Sequence, residues 1–278
     1  MRKPWLLIAL LCAACGWLPP LGPQPKYDDN TGLTGVPTGE GSLAGTWAFV
    51  IEFATIVRLP ILGDRNGGSQ SIRILHRTWD ADRKVYTDLF KWCHHEVFEV
   101  EGTRSVITDE TVRKIHETGG EVTVDHARGD YQTGTIVVTW GVQNLPDPEH
   151  TELPTKDNYT SPPQSDWMLD EDGDSHPGVT VNLEGALGGY AYVVSRNIHT
   201  MDGTVISPDR IQGLTRSSSN QQHTVEAQNH LARGESRVRP DPDPKESWFD
   251  MVRMPDGATC DDVMAAANDG RVSTRRPF

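Results

Sequence analysis

Residues 44–59, AGTWAFVIEFATIVRL, decide the fold class of this chain. Aromatic and branched side chains recur there at every second position, on one face of an extended strand: Trp47, Phe49, Ile51 and Phe53. The opposite face is mostly small or apolar as well. A long strand that is apolar on both faces is typical of a barrel or a large sandwich, because both faces are then covered.

Further strand-like runs follow, separated by turn signals. They cover residues 71–79, 84–100, 121–126, 133–142, 179–183, 189–197, 204–217, 223–230 and 247–253. The run 84–100 is expected to bend near Cys93, and Asp202-Gly203 predicts a hairpin between two runs. Short helices are predicted over residues 108–115, which begin with a capping threonine, and over 260–268, which contain an alanine run. The fold class is therefore all-β, an antiparallel β-barrel or a large β-sandwich with one or two short helices.

Gly45-Thr46-Trp47, at the start of the first strand, resembles the Gly-x-Trp signature of lipocalins. In that family the tryptophan closes one end of the barrel. The resemblance covers three residues, and the family's later Thr-Asp-Tyr and arginine signatures are not recognisable in this chain. It implies a lipocalin-like barrel, and for this reason we favour the barrel over the sandwich.

The N-terminal residues predict an export signal. Arg2 and Lys3 precede a short apolar stretch over residues 5–18, which is too short to span a bilayer. Residues 11–15, LCAAC, resemble the lipobox of bacterial lipoproteins, which implies cleavage after residue 14 and lipidation of Cys15. Ordinary secretion after cleavage near Ala14, or a retained anchor, is the alternative. A lipidated chain is held at the cell membrane or outer membrane by its acyl (palmitate-type) groups.

The net charge limits the possible partners, and the composition along the chain indicates its division into segments. With 26 basic and 39 acidic residues the net charge is −13, which repels nucleic-acid backbones, so we predict no nucleic-acid partner. The predicted plan is a signal peptide over 1–14, a Pro/Gly-rich lipidated tether over 15–43 and a β domain over 44–256. That domain includes a long acidic excursion over 144–178, and a C-terminal tail with a short helix covers 257–278.

Two cysteines remain after the signal and the lipidation site are set aside, Cys93 and Cys260. An exported chain lies in an oxidising compartment, where disulfides persist. We therefore predict a Cys93–Cys260 disulfide that holds the C-terminal tail to a central strand. Two buried free thiols are the alternative.

The acidic excursion contains a candidate metal site. Residues 166–178, DWMLDEDGDSHPG, place carboxylates at alternate positions of a short loop, and this spacing resembles EF-hand and thrombospondin type 3 calcium loops. Ca²⁺ takes six to eight oxygen ligands, and a divalent cation relieves the repulsion between such carboxylates. The predicted ligands are Asp166, Asp170, Asp172 and Asp174, and the predicted cofactor is a structural calcium ion. A solvated acidic turn is the alternative.

No catalytic motif is recognised. There is no Gly-x-Ser-x-Gly elbow, and His94-His95-Glu96 lacks the second spaced histidine of a zinc motif. The tryptophans Trp79, Trp92, Trp140 and Trp167 are candidates for the lining of a ligand cavity, or else core residues. The leading interpretation is a non-catalytic envelope protein that binds or carries a small apolar ligand or serves as an interaction module. The alternative is a hydrolase of envelope glycans or lipids.

Overall fold

The computed structural model describes residues 31–59, 63–185, 188–229, 232–235 and 238–278. The predicted signal peptide 1–14, the predicted lipidation site Cys15 and the tether up to residue 30 lie outside the described residues. Within the described ranges, no helix is long and apolar enough to cross a membrane.

The regular structure of the described chain is mostly antiparallel sheet, as predicted. Its strands are β1 (Gly45–Leu59), β2 (Gly63–Asp80), β3 (Val85–Val97), β4 (Arg104–Val106), β5 (Thr118–Asp125), β6 (Asp130–Thr133), β7 (Ile136–Trp140), β8 (Val179–Glu184), β9 (Gly189–Ser207), β10 (Arg210–Ala227), β11 (Gly234–Glu235), β12 (Val238–Pro240) and β13 (Trp248–Met254). The helices are α1 (Asp109–Lys114), α2 (Gln164–Trp167) and α3 (Cys260–Asn268).

The strand pairings close on themselves. They run β1–β2–β3–β5–β6–β9–β10–β13 and return to β1, so eight strands form an irregular barrel-like ring within one large sheet. β7 and β8 extend the pairing along β9, β4 follows β8, and β11 and β12 pair with β10 and β1. The main hydrophobic core fills the inside of the ring, around Trp47, Phe49 and Phe249.

A second core lies outside the ring, beneath α3. Helix α3 begins at the predicted residue, with Thr259 as its N-cap in a capping box with Asp262. Its Val263 and Ala266 pack on outward-facing residues of β1 and β2. The predicted Cys93–Cys260 disulfide is confirmed and fastens this helix to β3.

The bend predicted near Cys93 is confirmed as a register shift. Between Ile72 and Arg73 of β2, the partners on β3 change from His94 to Trp92. The extra residue, Cys93, packs in the outer core beneath α3, while Trp92 packs in the core inside the ring. The bulge therefore lets Trp92 face the interior and Cys93 reach the disulfide.

The hairpin predicted at Asp202-Gly203 is wrong, because both residues lie within the continuous strand β9. A Cβ atom at position 203 would lie 2.5 Å from Cζ of Phe249 and 2.8 Å from the carbonyl oxygen of Gln212. The glycine therefore permits close packing inside the ring rather than a turn. The chain reverses instead between Ser207 and Arg210.

One end of the ring is closed by Trp47. Its side chain is fully buried and donates from Nε1 to the carbonyl oxygen of Leu43 (3.1 Å). The guanidinium of Arg253 lies 4.5 Å from the Trp47 ring centroid and donates to the carbonyl oxygens of Ala44 (2.8 Å) and Ser42 (2.7 Å). The segment that leads into β1 is thereby held across this end.

Candidate functional site

A cavity opens at the other end of the ring, among the end of β1, the start of β2 and the end of β3. Its volume is about 160 Å³. The described lining residues are mostly aromatic, aliphatic or small polar: Phe53, Thr55, Val57, Gly68, Ser69, Ser71, Arg73, Trp92, His95, Val97, Phe98, Val100, Val138, Trp140, Ser195, Asn197, Asn220, Gln222 and Val238. None of these is acidic, and Arg73 is the only arginine or lysine among them.

Arg73 lies at the buried part of this wall. It is 1% exposed, and neither its Nε nor its Nη1 atom has a hydrogen-bond partner among the residues that the structure describes. Its guanidinium carbon lies 3.6 Å from the ring centroid of Trp92 and 4.7 Å from that of Phe90. Burial lowers the pKa of Arg73 well below its ordinary value, yet arginine stays protonated in proteins. The cavity wall therefore holds a positive charge that is stacked on aromatic rings but not hydrogen-bonded at these atoms.

Arg77 faces the same interior and is paired with a carboxylate, although its Nη1 atom has no hydrogen-bond partner among the described residues. It donates from Nε to Oδ1 of Asp88 (2.6 Å) and from Nη2 to Oδ2 (2.7 Å), and the hydroxyl of Tyr131 lies 3.1 Å from Nη2. Burial is the largest single influence and lowers the pKa of Arg77, but the charge and hydrogen bonds of Asp88, together with Tyr131 and Tyr86, outweigh it, so the net shift is upward. A bidentate pair of this kind is the usual way in which a buried guanidinium is compensated.

Two histidines near Arg73 are neutral. Desolvation, followed by the charge of Arg73, lowers the pKa of His95 and of His199 to about 3 in each case. His95 accepts or donates one hydrogen bond with Ser71 (2.8 Å), and His199 bonds through Nδ1 to Oδ1 of Asn197 (2.6 Å). They add no charge to the interior.

The four tryptophans that the sequence offered as candidates for a cavity lining do not all lie at the cavity. Trp92 and Trp140 line the cavity, with ring centroids 4.8 Å apart, and no described residue supplies an acceptor to their buried Nε1 atoms. Trp79 packs on Tyr86, away from the cavity, and Trp167 lies in α2. Two of the four therefore belong to the candidate site.

The acidic excursion brings three of the four predicted metal ligands together. One carboxylate oxygen from each of Asp170, Asp172 and Asp174 lies within 4.8 Å of the others. Asp166 is exposed in α2 and does not belong to this cluster. Asp170 accepts hydrogen bonds from the backbone of residues 173–175, whereas the buried Oδ1 of Asp172 has no partner in the described ranges. Burial raises the pKa of Asp172, and the nearby Asp174 adds to this.

The same excursion is fixed to the domain by Glu171, which sequence reasoning did not single out. Its carboxylate accepts from the backbone and Nδ1 of His116 (2.8 and 2.7 Å) and from the backbone of Gly141 (2.9 Å). Its hydrogen bond raises the pKa of His116. Burial alone raises the pKa of Glu171, but these hydrogen bonds outweigh it and the net shift is downward. Lys114 also donates to the carbonyl oxygen of Asp172 (2.8 Å).

The sequence analysis also missed Arg73. The signal was the run SIRILHRTW over residues 71–79, in which Arg73, Leu75 and Arg77 share the face opposite Ile72 and Ile74. In a sheet with a single core, the isoleucines would indicate the buried face and the arginines the exposed face. Here Ile72 and Ile74 lie under α3, so the arginine positions face the interior of the ring.

Comparison with protein-family models, with curated proteins and with solved structures found no match for this chain.

Proposed function

We propose that this chain is an exported envelope lipoprotein whose ring of strands binds a small, mostly apolar ligand and does no chemistry on it. The proposal of export and lipidation at Cys15 rests on the lipobox-like LCAAC. The burial of Trp47 at the closed end of the ring supports the lipocalin-like interpretation of Gly45-Thr46-Trp47.

The observation that carries the proposal is the cavity at the end of the ring opposite Trp47. Binding sites for small molecules are concave and mostly apolar, with a few placed polar groups. The walls at Phe53, Trp92, Val138 and Trp140 are of this kind. The volume of about 160 Å³ compares with the roughly 150 Å³ at which an apolar cavity in another protein takes up benzene. The core of the ligand is therefore of that size, with any longer part directed outward.

The test is native mass spectrometry of the full chain recovered from an oxidising compartment. We expect an organic mass that denaturation releases. Ser195→Phe, which fills the cavity from β9, should remove that mass, whereas Thr123→Phe on the exposed face of β5 should leave it.

If the purified chain carries no organic mass and takes up no apolar compound, the proposal is overturned. An envelope interaction module, or the alternative hydrolase of envelope glycans or lipids, would then be favoured. We assign no residue of this cavity a catalytic role in the alternative hydrolase.

We also propose that the acidic loop takes a structural calcium ion. The observation that supports it is the buried, unpartnered Oδ1 of Asp172 beside the carboxylates of Asp170 and Asp174. A buried carboxylate oxygen without a donor is costly, and a cation removes that cost. Thr180 donates from its backbone to Asp172 and from its hydroxyl to Asp174, so an ordered loop also fixes the start of β8.

A further inference from the structure

We infer that the ligand of this cavity is a monocarboxylate with an apolar body, and that its carboxylate pairs with Arg73. The inference deepens the proposed function and rests on it. It names the chemical class of the ligand and the residue that selects it.

The first step is that the guanidinium of Arg73 lacks hydrogen-bond acceptors and a counter-charge among the described residues. A buried ion is costly unless it is paired and hydrogen-bonded, and stacking on Trp92 and Phe90 offers no hydrogen-bond acceptor to Nε or Nη1. Arg77, on the same strand and face, shows how this fold compensates a guanidinium, since Asp88 meets it with two oxygens. Among the described residues, no carboxylate forms an ion pair with Arg73.

The second step is that the missing group is an anionic acceptor. A carboxylate matches the fork of a guanidinium with two parallel hydrogen bonds. The buried Nε1 atoms of Trp92 and Trp140 are two further donors without acceptors in the same lining. The neighbouring histidines are neutral, so the interior offers one positive charge at this place. One charge balances a carboxylate but leaves a phosphate monoester, near −2, only half compensated.

The third step concerns the rest of the ligand. Arg73 and Trp92 are almost fully buried, whereas Val57, Val97 and Val238 are half-buried and lie at the ends of their strands. The carboxylate is therefore bound innermost and the apolar body lies toward the opening. The cavity volume limits that body to a ring or a short chain within the walls.

The experiment compares octanoate with 1-octanol, which has the same chain length and no charge. Both are titrated into the full chain carrying Cys15→Ser, so that no attached acyl chain competes, and binding is followed by tryptophan fluorescence and calorimetry. We expect octanoate to bind more tightly by about 10-fold to 100-fold, the range for a buried hydrogen bond to a charged group. Arg73→Met should abolish this preference, Arg73→Lys should retain part of it, and Arg104→Met, on the surface, should leave it unchanged.

The outcomes are separable. Equal binding of octanoate and 1-octanol to the chain with Arg73 intact overturns the inference and leaves the proposed function standing. Failure of both to bind at millimolar concentration overturns the two together. If Arg73→Met does not fold, the comparison of octanoate with 1-octanol in the chain with Arg73 intact still tests the inference.

Discussion

Arg73 and Arg77 lie four residues apart on the inward face of β2, yet within the described part of the chain only Arg77 meets a carboxylate. The two side chains share a strand and nearly complete burial. They differ in whether the fold supplies a counter-charge. An unpaired buried charge costs folding free energy, so the position of Arg73 does not serve stability in the way that Arg77 does.

The first prediction is that the two arginines respond in opposite directions to methionine. Arg77→Met leaves Asp88 buried and unpaired, and we expect the free energy of unfolding to fall by about 3–5 kcal/mol. Arg73→Met removes an unpaired charge and should raise it. Urea unfolding of both variants measures the difference. A marked loss of stability in Arg73→Met would show that its stacking on Trp92 matters more than its unpaired charge.

The second prediction concerns pH and the His116–Glu171 pair. The pKa of His116 is raised, so its contribution is complete below the ordinary value of 6.5 and is lost as pH rises through the folded-state pKa. The pKa of Glu171 is lowered, so its contribution is present above 4.5 and is lost as pH falls through the folded-state pKa. The pair should stabilise most between these values.

Urea unfolding of the unaltered chain and of His116→Gln at several pH values measures this effect. The stability difference should be largest near pH 5–6 and shrink toward alkaline pH. His150→Gln is the matched control, because His150 pairs with Asp147 on the surface, where ion pairs contribute little. A difference for His116→Gln that does not change with pH would refute the prediction.

The third prediction tests the acidic loop. Ca²⁺ should raise the melting temperature and EDTA should reverse this, because a ligand that binds the folded state stabilises it. Asp172→Asn should remove the response and should itself raise the stability of the metal-free chain, since the buried carboxylate is then no longer charged. Asp166→Asn changes the predicted ligand that lies outside the cluster, and the structure predicts that this variant keeps the response. If it removes the response as well, the loop closes differently when calcium binds.

The fourth prediction concerns the disulfide. Cys260→Ser should lower the free energy of unfolding by about 2–5 kcal/mol, the usual effect of losing a native disulfide. The bond joins residues 167 positions apart and fastens α3 over the outer core. Thermal unfolding with and without a reductant measures it. The reductant should destabilise the unaltered chain and leave Cys260→Ser unaffected, and an equal effect on both would contradict the prediction.

The fifth prediction concerns the anchor. Cells that express the chain should incorporate labelled palmitate into it, and Cys15→Ser should abolish the label. Cys12→Ser is the matched control, because it changes a cysteine three residues away within the same predicted signal. Label that persists in Cys15→Ser would refute lipidation at this residue.

The alternation of apolar residues was sufficient to predict an all-β chain. Strand β1, the irregularity near Cys93 and helix α3 also agree closely with the predictions. β1 spans nearly the predicted residues, the irregularity near Cys93 is present, and α3 matches its predicted bounds. These features depend on local patterns. The hairpin at Asp202-Gly203 failed because a glycine also serves close packing, and only the position of Phe249 distinguishes the two roles.

The candidate cavity was only partly predictable, because it depends on which strands meet. Trp92 and Trp140 were among the candidates, but no local pattern says that β9 pairs with β10 on one edge and with β6 and β7 on the other. Because these pairings close the ring, the face of β2 that carries Arg73 lies on its inside. A polar residue between isoleucines is usually assigned to the solvent, and the second core beneath α3 reverses this assignment.

The unpaired Arg73 has a kinetic consequence in a chain of net charge −13. A carboxylate ligand is repelled by the protein as a whole and attracted only after it has entered the ring. Added salt screens the long-range repulsion more than the buried attraction. The association rate of such a ligand should therefore rise with ionic strength while its dissociation rate stays nearly constant, the reverse of the behaviour of a protein that draws its ligand in by surface charge.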